Sequence, residues 1–193
     1  ISWSGRTCEI IGVNSLSQTE YTVMPDRIEA GTFCIAATLA QGSLKILNFN
    51  SKVIKTELEL LKRFGAKIKI NKRKIFIKGP KKIKPIMNIK TKEYPGVSTD
   101  LQSQIMVLMC KANGRSSITE NIFENRFMHV AELRRLGAKI EIIKKTAYIH
   151  GNSKLIGAEL MSSDLRASVS LVLAAIVSKG KSTINRIYHL DRG

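Results

Sequence analysis

The sequence predicts an α/β fold built from repeated βαβαββ units of about 70 residues. Residues 61–79 (LKRFGAKIKINKRKIFIKG) return as residues 133–151 (LRRLGAKIEIIKKTAYIHG) at a constant offset of 72 positions. A third related segment, SSDLRASVSLVLAAIVSKG, ends at Gly180. Within the two longer copies, apolar residues at helical spacing give way to strict alternation, which predicts a helix followed by a β-hairpin. We therefore divide the chain into units 21–79, 80–151 and 152–193, of which the last is incomplete.

Each unit is predicted to begin with a short extended segment followed by a buried helix. The extended segments are YTVMP, NIKTKEY and KLIGAEL, at residues 21–25, 88–94 and 154–160. The helices are predicted to be buried because apolar residues cover nearly all of their faces. Each helix has an aspartate near its start and a glycine where it ends, a pattern typical of helix boundaries. These residues are Asp26, Asp100 and Asp164, and Gly42, Gly114 and Gly180.

After the buried helix each unit continues with a predicted strand, and the first two units add an amphipathic helix and a hairpin. The strands are predicted at residues 43–49, 115–121 and 181–187, and the amphipathic helices at residues 54–64 and 127–136. We interpret residues 1–20 as the strand tail of a preceding domain and a hinge, and residues 21–193 as one domain. The third unit has no second helix or hairpin, so we expect the chain to be part of a longer protein. Alone it would be poorly stable, since an edge and a core face would stay uncovered.

The composition excludes several classes of protein. The chain has 193 residues, of which 44% are hydrophobic, and this excludes a disordered tail. No apolar run approaches the roughly 20 residues that a membrane span needs. The three cysteines show neither disulfide nor metal-site spacing, and no metal or other cofactor is expected. We interpret Cys34 and Cys110 as buried, small apolar side chains and the compartment as the reducing cytoplasm.

The chain is strongly basic, with 32 Lys and Arg against 15 Asp and Glu and a formal net charge of +17. One hypothesis is therefore a basic repeat module that binds polyanions or nucleic acid. Aromatic residues make up only 6% of the chain, and none is expected to serve as a stacking platform within the lysine-rich residues 52–92. We therefore regard nucleic acid as a less favoured partner than a small anionic substrate, which a positive field would equally attract.

The three aspartates near helix starts are candidate site residues. A helix N-terminus attracts anionic substrates through its unpaired N–H groups and its dipole. We interpret Asp26 mainly as a helix cap. Asp100 follows YPGVST, in which a Pro-Gly turn can lift the carboxylate into a cleft, and Asp164 has an arginine two residues later.

Three arginines are predicted to lie near these carboxylates. Arg126 and Arg192 occupy equivalent positions in the second and third units, and Arg166 follows the aspartate of the third helix. The planar guanidinium group suits phosphate and carboxylate groups, so these arginines indicate an anion site. We interpret the neighbouring His129 and His189 as structural, since no serine or cysteine nucleophile pairs with them in the sequence.

Five longer strings point to a known family. They are MPDRIEAGTF, YPGVSTDLQSQ, ITENIFENRFMHVAELRRLGAKIEI, SSDLRASVSLVLAAIVSKG and RIYHLDRG. In these strings the sequence resembles the enolpyruvyl transferase family, and within it the UDP-N-acetylglucosamine 1-carboxyvinyltransferases, over residues 10–193. The resemblance implies an inverse α/β barrel, in which two domains of three βαβαββ units close over the substrates. It also implies that this chain corresponds to the C-terminal half of such an enzyme without its tail.

The resemblance also implies an activity and roles for individual residues. The reaction would transfer the enolpyruvyl group of phosphoenolpyruvate to the 3-hydroxyl of UDP-N-acetylglucosamine and release phosphate, the first committed step of peptidoglycan synthesis. Asp100 would be the base that accepts the hydroxyl proton, and Ile122 would contact the UDP-sugar. Arg192 would bind the phosphate or carboxylate of phosphoenolpyruvate. The other candidate substrate-binding residues are Arg126, Asp164 and Arg166, with Asp26 and Arg27 on the hinge side.

Two departures from the family pattern lie in the turn before Asp100. Ser98 stands where the family usually has proline, and Val97 where it often has phenylalanine. The family's reactive cysteine, a Lys-Asn pair and a further substrate-binding arginine lie in the other half of the enzyme. We therefore expect no turnover by this chain alone. Its expected partners are the two substrates, the N-terminal half and the C-terminal tail, and no membrane.

Overall fold

The structure, a computed structural model, describes residues 1–190 of the chain. Within these residues it has five α-helices and eleven short β-strands, which confirms the α/β class. Arg192 is outside the described residues. No helix of the described part is long and apolar enough to cross a membrane.

The chain begins with a hairpin of two short antiparallel strands, β1 (Ser2–Ser4) and β2 (Thr7–Glu9). Gly5 lies in the turn with a φ of 58°, in the left-handed region that glycine adopts without steric cost and that tight hairpin turns require. The strand tail expected in residues 1–20 is therefore a hairpin followed by irregular chain. Its assignment to a preceding domain stays a prediction.

The first large sheet covers a buried helix and an amphipathic helix. Its elements are α1 (Arg27–Leu39), β3 (Ser43–Ile46), α2 (Lys55–Phe64), β4 (Lys67–Asn71) and β5 (Lys74–Lys78). Strand β5 lies between β3 and β4 and is antiparallel to both. Its inward residues Ile75 and Ile77 are buried, and the alternation predicted from the sequence places its lysines on the opposite face.

The strand predicted at residues 21–25 does not form. Tyr21 and Val23 are 82% and 79% exposed, and the segment pairs with no strand in the described part of the chain. An extended sequence becomes a strand only when its backbone groups find a partner in a ladder. Within residues 1–190, strand β3 pairs with β5 alone, and residues 21–25 do not add to its other edge.

The second sheet has four strands. It repeats the arrangement of the first sheet, and here the leading strand of the unit is paired. Its elements are β6 (Ile89–Lys90), α3 (Gln102–Cys110), β7 (Arg115–Thr119), α4 (His129–Arg135), β8 (Lys139–Ile143) and β9 (Thr146–His150). The strand order is β6-β7-β9-β8, with β6 parallel to β7 and the other pairs antiparallel. All nine residues of α3 are buried, which confirms the buried helix predicted there and the interpretation of Cys110.

The last described elements are β10 (Glu159–Met161), α5 (Leu165–Ile176) and β11 (Thr183–Asn185), in which the two strands pair in parallel. Helix α3 packs against both α1 and α5. The Gln104 side-chain amide donates to Thr32 Oγ1 at 3.3 Å, and Ser103 Oγ donates to the carbonyl of Arg166 at 3.0 Å. The three apolar helices therefore meet at the centre of the molecule, with sheets around them.

The strands of residues 1–190 form four separate sheets, and none of these sheets is closed. The α/β class is visible directly, and the helices and hairpins predicted for the first two units are present. The barrel implied by the family resemblance is not visible in this part of the chain.

Candidate functional site

The turn that leads into α3 directs a carboxylate toward two arginines. Ser98 begins a 3₁₀ turn (Thr99–Leu101), and its hydroxyl accepts a hydrogen bond from the Asp100 N–H at 3.2 Å. The Asp100 carboxylate is therefore not used as a helix cap. Its Oδ1 lies 3.3 Å from Nε of Arg166 and 3.6 Å from Nη2 of Arg126. All three side chains are about one-third exposed, so a ligand can reach them.

The other two aspartates of the repeat cap their helices. Asp26 Oδ1 accepts hydrogen bonds from Ile28 N and Glu29 N, and Asp164 Oδ1 accepts from Arg166 N and Ala167 N, both at 2.9 Å. At the 72-residue offset, the position that matches Asp26 is Ser98 and not Asp100. The three aspartates expected to be equivalent are thus two helix caps and one carboxylate that faces two arginines.

The arginines line an open cleft of about 550 Å³ between α3, α5 and the loop after β7. Arg126 lies in that loop, with its guanidinium carbon 4.6 Å from the centre of the Phe123 ring. Arg166 lies in the first turn of α5. Asp164, the residue that caps this helix, is also part of the cleft wall. The structure therefore brings together four of the predicted site residues: Asp100, Arg126, Asp164 and Arg166.

Glu120, which the sequence analysis did not single out, holds this region together. It is 2% exposed and follows the end of β7. Its Oε1 accepts from Thr91 Oγ1 and Ile122 N, both at 2.8 Å, and from Phe123 N at 3.2 Å. Its Oε2 accepts from Thr99 Oγ1 at 2.9 Å. The Glu120 carboxylate thus connects the turn that carries Asp100 to the loop that carries Arg126.

A second buried acid, Glu57 of α2, supports the same turn from the other side. It is 4% exposed, and its Oε1 accepts the Ser98 N–H at 3.2 Å. A proline at this position, as the family usually has, would carry no N–H to donate. Arg27 lies 3.9 Å from Glu57 and stacks on the Tyr94 ring at 5.4 Å, so it reaches the base of the turn. Asp26 is exposed and is not part of the cleft wall.

Ile122 lies beside a different recess, of about 440 Å³, which Tyr94 and Pro95 also line. Its N–H is held by Glu120, as described above. The structure therefore places Ile122 next to the Asp100 turn without putting it in the cleft with Arg126. Arg192 is outside the described residues, so its position relative to the cleft stays a prediction.

Two further polar side chains of the cleft wall are almost fully buried. His129 is 3% exposed and Gln102 is 1% exposed, and neither His129 Nε2 nor Gln102 Nε2 has a hydrogen-bond partner among residues 1–190. Burial lowers the pKa of His129 to about 4, against smaller opposing effects of Asp164 and the Arg126 carbonyl. The imidazole is therefore neutral near pH 7 and is not a third cation of the cleft.

The cysteines do not contribute nucleophiles to this site. Burial raises the pKa of Cys34 and of Cys110 to about 12, so both remain thiols at neutral pH. Cys34 is fully buried, which confirms its interpretation as a small apolar side chain. Within residues 1–190 there is no group of three His, Cys, Asp or Glu side chains arranged to hold a metal ion.

The geometry suits proton transfer beside an anion. Guanidinium groups bind phosphate or carboxylate through paired hydrogen bonds, and here two of them converge on one carboxylate. An anionic ligand that takes over the arginines would release Asp100 from its ion pairs. The freed carboxylate could then accept a proton from a neighbouring hydroxyl.

Comparisons with known proteins agree on one family. The model of the family described as EPSP synthase (3-phosphoshikimate 1-carboxyvinyltransferase) matches residues 1–193. A UDP-N-acetylglucosamine 1-carboxyvinyltransferase of Pelagibacter ubique is 62% identical over 100% of this chain and 46% of its own length. One from Desulfosudis oleivorans is 50% identical over 95% of this chain and 44% of its own length. The chain thus spans less than half the length of these relatives.

Solved structures with the same fold include two transferases. The enolpyruvyl transferase NikO from Streptomyces tendae superposes with a TM-score of 0.82 at 28% identity, over 90% of this chain and 41% of that protein. An EPSP synthase from Acinetobacter baumannii superposes with a TM-score of 0.65 at 16% identity, over 85% of this chain and 39% of that protein. The second likeness concerns the fold alone.

Proposed function

The chain belongs to the EPSP synthase (3-phosphoshikimate 1-carboxyvinyltransferase) family, and from that premise we propose that it forms part of the active site of a UDP-N-acetylglucosamine carboxyvinyl transferase. The names of the relatives at 62% and 50% identity support this choice of substrate. The reaction would move the enolpyruvyl group of phosphoenolpyruvate to the sugar 3-hydroxyl and release phosphate, the first committed step of peptidoglycan synthesis. Since the chain spans less than half of these relatives, the other segments would complete the site.

The observation that carries this proposal is the free Asp100 carboxylate between Arg126 and Arg166. When phosphoenolpyruvate binds, its phosphate and carboxylate would compete with Asp100 for the two guanidinium groups. Asp100 would then accept the proton of the 3-hydroxyl as the sugar oxygen bonds to C2 of phosphoenolpyruvate, while the C2–C3 double bond opens and C3 takes up a proton from an acid in the rest of the site. In the resulting tetrahedral adduct, the bond from C2 to the phosphate oxygen would break as the C3 methyl group loses a proton, which restores the double bond and releases inorganic phosphate.

The other site residues have supporting roles in this proposal. Arg192 would join Arg126 and Arg166 in binding phosphoenolpyruvate, and this role rests on the family resemblance. Asp164 would fix the start of α5, and with it the backbone of Arg166, through its cap. Ile122 would contact the UDP-sugar in the recess beside Tyr94.

We further propose the finer architecture that the resemblance implies. Residues 21–193 would form one domain of an inverse α/β barrel with three βαβαββ units, the third completed by the remainder of the protein. Residues 1–20, with Asp26 and Arg27 next to them, would lie on the hinge side. The protein would act in the cytoplasm without a cofactor. The alternative hypothesis, a basic module with polyanion binding as its main function, is not favoured by the names of the relatives.

A reconstitution tests the proposed function. The chain is mixed with the N-terminal half and C-terminal tail of the Pelagibacter ubique relative, and association is verified by gel filtration. Phosphate release from phosphoenolpyruvate and UDP-N-acetylglucosamine is then followed. We expect release that requires both substrates, is absent from the chain alone, and falls by about 10²–10⁴-fold with Asp100→Asn.

The matched control is Glu141→Gln, an exposed carboxylate on β8 outside the cleft, which is expected to leave the rate unchanged. No release from segments that associate would refute the proposal for the reaction. Release that survives Asp100→Asn would refute the role of Asp100 as the base.

A further inference from the structure

The outward face of the first sheet carries five lysines around one aromatic ring. The register pairs Lys45 with Phe76 and Phe76 with Lys69, while Lys78 lies opposite Lys67 and Lys74 follows on β5. All six side chains are exposed. We call this set the lysine face: Lys45, Lys67, Lys69, Lys74 and Lys78 around Phe76.

The lysine face has no counter-charges of its own. None of its five lysines forms an ion pair with any residue in the described part of the chain. Lys67 and Lys78 stand directly opposite each other on neighbouring strands, an arrangement in which like charges destabilise a sheet. The face therefore has an unfavourable electrostatic energy that an anionic partner would relieve.

A general excess of lysine in the chain does not account for this arrangement. The second sheet has the same order of strands β7, β9 and β8 and lies at an offset of 72 residues. Of the five positions that match the lysines, only Lys139 is a lysine there. The others are Ser117, Glu141, Thr146 and His150. Tyr148 matches Phe76, so the second sheet keeps the aromatic ring and lacks the concentration of charge.

The aromatic ring at the centre of the face suits a nucleic-acid base. No stacking platform was expected within the lysine-rich residues, but Phe76 lies there on the central strand and is 39% exposed, so a base can reach its ring. Lys45 Nζ lies 5.3 Å from the ring centre. An ammonium in that position can move to a phosphate when a base stacks on the ring. Proteins that bind single strands combine such rings with a basic track for the backbone.

From this arrangement we propose that the lysine face binds single-stranded RNA or DNA, independently of the Asp100 site. A membrane surface fits the face less well, because membrane docking relies on several protruding apolar side chains beside the cations. Here a single ring lies among five lysines. The face measures about 10 by 17 Å, from three strands about 4.8 Å apart and four or five residues long, which is a narrow track for one nucleic-acid strand.

The test is the fluorescence anisotropy of a labelled oligouridine of about 12 nucleotides, titrated with the 193-residue chain between about 50 and 200 mM KCl. Contacts from five lysines would give a slope of log affinity against log salt of about −3.5. The variant Lys67→Thr/Lys69→Thr/Lys78→Thr is expected to bind at least about tenfold more weakly, with a slope shallower by about 2. Phe76→Leu is expected to weaken binding severalfold without changing the slope, because it removes stacking and no charge.

The control removes the same number of charges elsewhere. Lys139→Thr/Lys145→Thr/Lys154→Thr changes three exposed lysines outside the lysine face and is expected to retain the affinity within about twofold. Circular dichroism verifies that each variant is folded. Equal losses in the two triple variants would mean that total charge and not this face binds RNA. Absent binding at about 50 mM salt, or tighter binding to vesicles with about 30% phosphatidylglycerol, would also overturn the proposal.

Discussion

In the 3₁₀ turn before α3, the side chain that caps the backbone and the side chain available for chemistry are different residues. The carboxylates of Asp26 and Asp164 accept hydrogen bonds from backbone N–H groups of the helices that they cap. Ser98 takes over that task in the second unit, and Asp100 is left to face Arg126 and Arg166. The bonds of a capping carboxylate are fixed by its own helix, whereas an anionic ligand can take over the two arginines from Asp100, so this change in the cap is what makes Asp100 the candidate base.

His129 makes the stability of the chain depend on pH. Burial lowers its pKa from 6.5 to about 4 in the folded state, so between these values the unfolded chain binds a proton there and the folded chain does not. The free energy of unfolding therefore falls as the pH falls from about 6.5 to 4, by up to about 3 kcal/mol from this residue. Urea unfolding at pH 7 and at pH 4.5 measures the loss.

The variant His129→Phe separates this contribution from that of the carboxylates. Phenylalanine fills the buried position without a titrating group, so the loss of stability between the two pH values is expected to be smaller by about 2 kcal/mol. The same loss in the chain and the variant would show that His129 is already protonated in the folded state or titrates alike in both states.

At the level of elements, Glu120 joins four pieces of the site. These are the end of β6, the 3₁₀ turn before α3, the end of β7 and the loop that follows it. Glu120→Gln keeps one acceptor oxygen for three of these bonds, and its amide can donate to Thr99 Oγ1. We expect it to lower the free energy of unfolding by about 1 kcal/mol, and Glu120→Ala by about 3 kcal/mol, since alanine leaves the donors unpaired. Urea unfolding at pH 7 measures both.

The contrast between the two variants is the decisive readout. Glu141→Ala, at an exposed position on β8, is the control and is expected to change stability by less than about 0.5 kcal/mol. If Glu120→Ala cost no more than Glu120→Gln, the carboxylate would act through its charge and not through its four hydrogen bonds.

The elements that the sequence predicted well are those whose pattern is local. The helical spacing of residues 54–64 and the alternation in residues 67–78 were sufficient to predict a helix and a hairpin. Each of these elements places its apolar residues on one face, and that pattern is contained within the segment itself. Residues 21–25 have the composition of a strand, but whether they form one depends on a partner strand that is distant in the sequence. Gly79 and Gly151 occupy equivalent positions in the repeat. The structure explains why both are glycine, because a Cβ atom would collide with the Ala37 carbonyl at Gly79 and with the Ala112 carbonyl at Gly151.

The candidate site was predictable only in part from individual residues. Asp100, Arg126 and Arg166 were found through the repeat and the family resemblance, and they do meet. Glu120 was missed, although it lies two residues after the buried Ile118, so strand alternation indicates that it points inward. Glu57 could not be found in this way, because its partner Ser98 is 41 residues away in the sequence.

At the scale of the whole molecule, Lys and Arg outnumber Asp and Glu by 17, and few of the basic side chains within residues 1–190 form ion pairs. The ion pairs of residues 1–190 use five arginines and one lysine. Most of the lysines therefore repel one another through solvent, and this repulsion acts against the compact state. The Debye length shortens from about 10 Å at 0.1 M salt to 3 Å at 1 M, so salt removes the repulsion between exposed charges first.

We therefore expect the melting temperature of the chain to rise as NaCl increases from about 20 to 500 mM, by about 4 °C for a gain of about 1–2 kcal/mol. The variant Lys67→Thr/Lys69→Thr/Lys78→Thr is expected to have a higher melting temperature than the chain at low salt, because it removes the directly opposed Lys67 and Lys78. For the same reason, its melting temperature is expected to rise less when salt is added. Differential scanning fluorimetry over the salt series measures both. A melting temperature that falls with salt would mean that the few ion pairs outweigh the repulsion, and an equal gain in the variant would mean that the lysine face is not its main source.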